Sequence, residues 1–261
     1  MNTRLISRFL LCTAAALVLV SALQAENKAL VPVDRKDKWW TDRHAGNVEQ
    51  MNKGETELLL IGDSITHGWD SHKDLYGKYF GPYKPINLGF SGDQTQHVLW
   101  RLDHLPLDKI SPKAAQIMIG TNNIGSNSST PAETVEGIKA IVTKLQKQYP
   151  KLQIIVLKVF PRDEKPNGER RQRVDAINKE LPAALKGLKN VKLVDINAGF
   201  LDADGTLPKG IMPDFLHPNK EGDDYWGKTV EPLIKAAVQK YDQPVKRIPK
   251  PFPRFRRILL R

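Results

Sequence analysis

The chain has 261 residues, of which 26% are charged and 40% hydrophobic, as in globular proteins rather than disordered or fibrous ones. Nine of its 40 basic residues lie in 1–25 and 243–261, which hold no acidic residue, and the other 31 stand against 29 acidic residues. The net charge of +11 therefore belongs to the ends, and the nearly neutral body excludes a domain-wide nucleic-acid-binding field.

Residues 1–25 have the pattern of a secretory signal peptide. Two arginines precede an apolar run over 9–20, and small residues end the segment at Ala25. The alternative is a membrane anchor, but a spanning helix needs about 20 apolar residues. We therefore expect cleavage after Ala25 and an exported protein, periplasmic or secreted. Cys12 is the only cysteine, so the mature chain would lack disulfides and thiol chemistry.

Two further segments flank the predicted domain. Residues 26–56 are polar, contain adjacent Trp39 and Trp40, and are expected to wrap its surface. Residues 243–261 combine basic residues with four prolines, which is typical of a mobile, solvated tail. The alternative for this tail is contact with an acidic partner or an anionic surface.

Residues 57–242 alternate short apolar runs with longer amphipathic ones. Five runs are predicted as buried parallel strands: 57–62, 85–90, 114–120, 152–160 and 191–196. Four segments are predicted as helices: 95–105, 131–149, 169–188 and 220–241. Pro182 should kink or split the third helix, and Pro232 lies inside the fourth. The alternation predicts an α/β domain with three α/β/α layers around a five-stranded parallel sheet.

Four short segments follow predicted strands, where ligands bind in parallel sheets. They are 62–66 (GDSIT), 89–93 (GFSGD), 120–123 (GTNN) and, after the fifth strand and a loop, 214–217 (DFLH). These residue types can perform acyl transfer. Ser64 would be the nucleophile, His217 its general base and later acid, and Asp214 the carboxylate that orients the imidazole.

A tetrahedral oxyanion needs preorganised donors. The Ser64 amide, the Gly92 amide and the Asn122 side chain could supply three, with Gly92 allowing close backbone approach. Gly92 could instead be only a turn glycine, Asn122 a cap, and Asp214 an ordinary loop carboxylate.

These four segments, in this order, resemble the blocks of the SGNH (GDSL-type) hydrolases over about 58–234. Within that superfamily, NLGFSGDQTQHVLWRL and IMPDFLHPNKEG are similar to the catalytic subunits of the platelet-activating-factor acetylhydrolase Ib type. The resemblance implies a flavodoxin-like sheet and metal-free ester hydrolysis. Its signature residues would be Ser64, Gly92, Asn122 and His217, with Asp214 completing the triad. Those subunits are usually intracellular, whereas exported members often remove acetyl groups from sugars.

Other residues near the segments have weaker assignments. His67, Trp69, Phe90 and Phe215 are candidate substrate contacts, with exposure as the alternative for His67 and core packing for the aromatic residues. Asp63 and Asp93 are expected to hold their turns. The remaining histidines, His44, His72, His97 and His104, lie at surface positions or in polar segments without evident partners. No His, Asp or Glu group has metal-site spacing, so we predict no metal and no cofactor.

The sequence thus predicts a serine esterase for short acyl esters, acetyl foremost, on a carbohydrate or small alcohol. One alternative is a phospholipid, lysophospholipid or platelet-activating-factor-like acyl hydrolase, which would need an apolar trough beside Ser64. The other is a ligand-binding module without catalysis. The acyl group, the alcohol and the oligomeric state, including a dimer, stay open.

Overall fold

The computed structural model describes residues 26–243, so the predicted signal segment and all of the basic tail beyond Gln243 lie outside the described residues. The five strands are β1 (Leu58–Gly62), β2 (Pro85–Gly89), β3 (Ala114–Met118), β4 (Gln153–Leu157) and β5 (Val191–Val194). The α-helices are α1 (Lys38–Asn52), α2 (Ser64–His67), α3 (Lys73–Phe80), α4 (Thr95–His104), α5 (Thr121–Gly125), α6 (Pro131–Gln148), α7 (Glu169–Leu185) and α8 (Lys220–Asp242). Between residues 26 and 243, none of them is long and apolar enough to cross a membrane.

The strands form one parallel sheet in the order β2-β1-β3-β4-β5. This is the flavodoxin-like order, with β1 between the two strands that follow it in sequence. The predicted five-stranded parallel sheet and α/β/α class are confirmed. All strand carboxyl ends therefore meet at one edge, which is where the four chemical segments emerge.

Each face of the sheet packs against its own helices. In β1, Leu59 and Ile61 point into a core shared with α4, α6 and α7, whereas Leu58 and Leu60 point into a core shared with α3 and α8. Strands β1 and β3 are buried on both faces, as continuous apolar runs predict. These two cores fix the strand ends that carry the site.

The helix boundaries agree with the sequence to within a few residues, with one correction. Helix α7 runs without a break through Pro182, so of the predicted kink or split the split is wrong. Pro182 is solvent-exposed and lies in the last turns of the helix, so it costs only the backbone hydrogen bond to the carbonyl four residues earlier. Pro232 is likewise exposed inside α8.

The N-terminal segment contains a helix that the sequence pattern did not predict. Helix α1 brings the fully buried ring of Trp40 into the domain, where its Nε1 donates to Oδ1 of Asp93 at 2.8 Å. Ala29 lies ahead of α1, and its carbonyl accepts a hydrogen bond from the hydroxyl of Thr95 at 2.9 Å. Residues 26–52 are therefore tied to the segment that follows β2.

Candidate active site

Ser64 lies at the first position of α2, directly after β1. The preceding Asp63 caps this helix, because its Oδ1 accepts from the amide of Ile65 at 3.0 Å. Helix α2 lies so close to β2 that a Cβ on Gly89 would come within 2.5 Å of the carbonyl carbon of Thr66. A glycine at this position in β2 lets the helix that carries Ser64 sit against the sheet.

Ser64, His217 and Asp214 form a continuous hydrogen-bonded chain. Oγ of Ser64 lies 2.8 Å from Nε2 of His217, and Nδ1 of His217 lies 2.6 Å from Oδ2 of Asp214. A carboxylate only accepts, so the proton of the neutral imidazole belongs on Nδ1 and Nε2 is left to accept from the Ser64 hydroxyl. The structure brings together the three residues that the sequence predicts for nucleophile, base and orienting acid.

The DFLH turn explains how a three-residue spacing joins His217 to Asp214. Oδ1 of Asp214 accepts from the amides of Leu216 at 3.1 Å and His217 at 2.8 Å, while Phe215 takes a φ of 58°. Burial raises the pKa of Asp214, but the hydrogen bonds from His217 and Leu216 outweigh it and hold this pKa below its ordinary value. Asp214 is therefore ionised at neutral pH.

The three predicted oxyanion donors also lie at this edge. Gly92 has a φ of 78° in the turn that the Asp93 amide closes onto the carbonyl of Phe90 at 3.0 Å. Asn122 donates one Nδ2 hydrogen to the carbonyl of Asp93 at 3.0 Å, which leaves its second hydrogen available. Within residues 26–243, the amides of Ser64 and Gly92 donate to no acceptor.

Two buried aspartates support these loops. Asp93 accepts from Nε of Arg101 at 2.9 Å as well as from Trp40, and the Arg101 guanidinium lies 3.9 Å from the centroid of the Phe90 ring. Asp63 is fully buried, and this burial raises its pKa to about 7. Both side chains hold turns, and neither lines the cavity.

A cavity of about 410 Å³ opens beside Ser64 and His217. Seven of the ten residues that line it carry polar side chains, and the lining residues are Ser64, Ile65, His67, Gly68, Asp70, Ser71, His72, Ser91, His217 and Pro218. Nδ1 of His67 accepts from the Ser91 amide at 3.3 Å, and burial lowers the pKa of His67, so this imidazole is neutral at pH 7. His67 thus lies in the cavity wall, in agreement with its interpretation as a candidate substrate contact rather than an exposed residue.

Two predicted substrate contacts are wrong. Trp69 and Phe90 have no exposed surface, because Trp69 packs on Phe80 and Trp226 and Phe90 packs on Trp40. Phe215 is half-buried and borders the apolar core beneath α8.

The lack of partners predicted for two histidines is also wrong. His72 pairs with Asp223 at 2.7 Å, and His44 stacks on the ring of Trp40. Asp223 lies on α8, which local sequence does not indicate, whereas Trp40 lies one turn before His44 in α1.

Three arginines that the sequence analysis missed support the site from outside it. Arg35 donates to the carbonyl of Ser91 at 2.6 Å, and Arg43 donates to the carbonyl of Gly89 at 2.8 Å. Arg162 is buried and donates to the carbonyl and hydroxyl of Thr121, at the start of the helix that carries Asn122. Within the described chain, no cluster of three His, Cys, Asp or Glu residues could hold a metal ion.

Comparison with known proteins agrees with this geometry. Residues 60–225 match the GDSL-like Lipase/Acylhydrolase family. The chain is 39% identical over 203 residues to platelet-activating factor acetylhydrolase IB subunit alpha2 from Gallus gallus and 36% identical to its counterpart from Homo sapiens; each alignment covers 78% of this chain and 85% of the relative. A solved GDSL-like lipase from Bacteroides thetaiotaomicron shares the fold with a TM-score of 0.60 and 24% identity, over 78% of this chain and 97% of that one. The chain therefore belongs to the GDSL-like lipase/acylhydrolase family and is an ester hydrolase.

Proposed function

We propose that this protein hydrolyses short-chain esters, acetyl esters foremost, of carbohydrates or other polar alcohols, with Ser64 as the nucleophile. The observation that carries the proposal is the hydrogen-bonded chain from Ser64 through His217 to Asp214 at the wall of this cavity. Nucleophile, base and orienting carboxylate are the three parts that acyl transfer requires.

In the first half-reaction, Oγ of Ser64 attacks the acyl carbon while its proton passes to Nε2 of His217. The tetrahedral intermediate then collapses: the bond from the acyl carbon to the alcohol oxygen breaks, and His217 returns the proton to the leaving alkoxide. In the second half, a water attacks the acyl-Ser64 carbonyl with His217 again as base. Ser64 leaves as its hydroxyl, and the carboxylic acid is released.

Two charges develop during these steps, a negative one on the oxyanion and a positive one on His217, and fixed groups around Ser64 can stabilise both. Among residues 26–243, the Ser64 and Gly92 amides and the second Asn122 hydrogen have no acceptor, so they can donate to the oxyanion. One such donor lowers the barrier by about 2.7–4 kcal/mol. The ionised Asp214 stabilises His217 when it carries the proton.

The composition of the cavity supports a polar alcohol. Among the described residues that line it, only Ile65 and Pro218 have apolar side chains, whereas a long acyl or alkyl chain needs a continuous apolar surface. The cavity is also far larger than an acetyl group, so it has room for the alcohol part of the ester.

The direct test is turnover of p-nitrophenyl acetate by the wild type and by Ser64→Ala. We expect the substitution to abolish turnover, while Ser111→Ala, on an exposed loop at the opposite edge of the sheet, retains it. Equal turnover by the Ser64 variant would remove Ser64 from its proposed role. Failure of the wild type to react with a fluorophosphonate probe would favour a binding module without catalysis.

A second candidate function is hydrolysis of an acetylated choline phospholipid. The observation that favours it is the 36–39% identity to proteins named platelet-activating factor acetylhydrolase subunits. Rates on acetyl, butyryl and long-chain esters, and on an acetylated choline phospholipid against an acetylated sugar, separate the two. A steep preference for long chains or for the phospholipid would overturn the carbohydrate proposal.

A further inference from the structure

His72, which lines the same cavity as Ser64 and His217, belongs to a second imidazole–carboxylate pair. Nδ1 of His72 is 2.7 Å from Oδ2 of Asp223, close to the 2.6 Å between His217 and Asp214. His72 directly precedes α3, and Asp223 lies near the start of α8. The triad does not use this pair.

Burying the carboxylate of Asp223 costs free energy that a purely structural role does not explain. Its side chain is 3% exposed, and within residues 26–243 its Oδ1 has no hydrogen-bond partner. Burying a carboxylate is unfavourable unless the carboxylate is paired. An apolar contact in place of the His72–Asp223 pair would hold α3 and α8 together equally well. The exposed ion pair between Lys220 and Asp74, at 2.7 Å, already connects α8 to α3. Asp223 is therefore better explained by what it does to His72.

The contact with Asp223 fixes the imidazole of His72 through Nδ1 and leaves its Nε2 available for a ligand. The ring lines the cavity, and its Nε2 has no partner among the described residues. This nitrogen accepts a hydrogen bond when the ring is neutral with its proton on Nδ1, and donates one otherwise. A hydroxyl group can both donate and accept, so it matches Nε2 in either state, whereas an ester carbonyl or a phosphate oxygen only accepts.

We propose that Nε2 of His72, held by Asp223, binds a hydroxyl group on the alcohol part of the ester and so selects acetylated carbohydrates and other polyols. Asp70, Ser71 and Ser91 lie in the same wall and offer oxygens to further hydroxyls. This assignment rests on the proposed function, because it takes Ser64 as the position of the scissile ester. His72 is a specificity residue, and Asp223 is its positioning residue.

The test uses two acetate esters matched in ring size and in the carbon that bears the ester. Methyl 6-O-acetylglucoside carries ring hydroxyls, and cyclohexylmethyl acetate carries none. The measured quantity is the ratio of kcat/KM for the sugar ester to kcat/KM for the cyclohexyl ester. We expect His72→Phe to lower this ratio about tenfold, the effect of one lost hydrogen bond. His72→Gln, whose amide both donates and accepts, should retain most of it.

The outcomes separate this assignment from the proposed function. A wild type that hydrolyses neither ester contradicts the proposed function. A wild type that hydrolyses both, with the ratio unchanged in His72→Phe, overturns the role of His72 alone. Equal losses on both esters with a lowered melting temperature would show a structural role and would also overturn it.

A measurement without a His72 substitution covers the case in which His72→Phe does not fold. The Ser64→Ala protein, labelled with ¹⁵N-histidine, is titrated with methyl glucoside and with cyclohexylmethanol. We expect the Nε2 resonance of His72 to shift with methyl glucoside only. No shift with methyl glucoside, or equal shifts with both alcohols, would overturn the assignment.

Discussion

The guanidinium of Arg35 donates to the carbonyl oxygen of Ser91 at 2.6 Å, and that carbonyl shares its peptide plane with the amide of Gly92. In a trans peptide the C=O and N–H point in opposite directions, so a cation on the oxygen fixes where the amide hydrogen points. It also polarises that amide as a donor. An arginine from the N-terminal segment thereby supports the proposed oxyanion site.

We predict that Arg35→Met lowers kcat for p-nitrophenyl acetate about tenfold with little change in KM. This is less than the 10²–10³-fold that loss of a whole oxyanion donor costs, because the Gly92 amide remains. Asp93 keeps its bonds to Arg101 and Trp40 in this variant, so the turn stays anchored. Arg35→Lys should recover part of the activity. A rise in KM at constant kcat would contradict this role.

Asp214→Asn should lower kcat by about 10³–10⁴-fold without unfolding the protein. The Asn oxygen can keep the bonds to the Leu216 and His217 amides, but its NH₂ group would face Nδ1 of His217 and force the proton onto Nε2. That tautomer cannot accept the proton of Ser64. Steady-state kinetics together with a melting curve check the prediction. Full activity in this variant would assign Asp214 to the turn alone.

Gly89→Ala should destabilise the protein by about 1–3 kcal/mol and lower its activity, because the new methyl group would overlap the backbone of Thr66 and His67 in α2. The matched control is Gly77→Ala in α3, where nothing lies within 4 Å of the added Cβ and stability should rise by about 0.5–1 kcal/mol. Urea unfolding of both variants measures the two effects. Similar free energies of unfolding would contradict the close packing of α2 on β2.

Asp63 should make the stability depend on pH. Burial raises its pKa from 3.8 to about 7, so the folded protein binds more protons than the unfolded chain between these values. Its contribution to the free energy of unfolding therefore falls as the pH rises from about 4 to about 7 and is constant above that. Asp63→Asn should lack this fall, as urea unfolding at pH 5 and pH 8 can show. Parallel pH profiles for both proteins would contradict it.

The sequence predicts the sheet and the positions of the chemical segments well, because both follow from local patterns. Buried runs specify strands, and the topology of a parallel sheet brings Ser64, Gly92 and Asn122 to one edge. The start of α6 is also specified locally, because Thr130 and Glu133 form a capping box in which Glu133 Oε2 accepts from the Thr130 amide at 2.7 Å.

What the sequence did not reveal depends on contacts between distant segments. Trp40 and Arg35 lie in a stretch whose polarity suggests only a surface segment, and their partners are 53 and 56 residues away. His72 and Asp223 are 151 residues apart, and no periodicity links them. Trp69 is buried because α3 and α8 close over it, which its position after the serine segment does not indicate.

The measurement that tests the account most directly is covalent labelling by a fluorophosphonate, read by mass spectrometry of the digested protein alongside turnover of p-nitrophenyl acetate. The account predicts one adduct on Ser64 in the wild type, sharply slower labelling in His217→Ala, and neither adduct nor turnover in a folded Ser64→Ala protein. An adduct on another residue, or undiminished turnover by the Ser64→Ala protein, would contradict it.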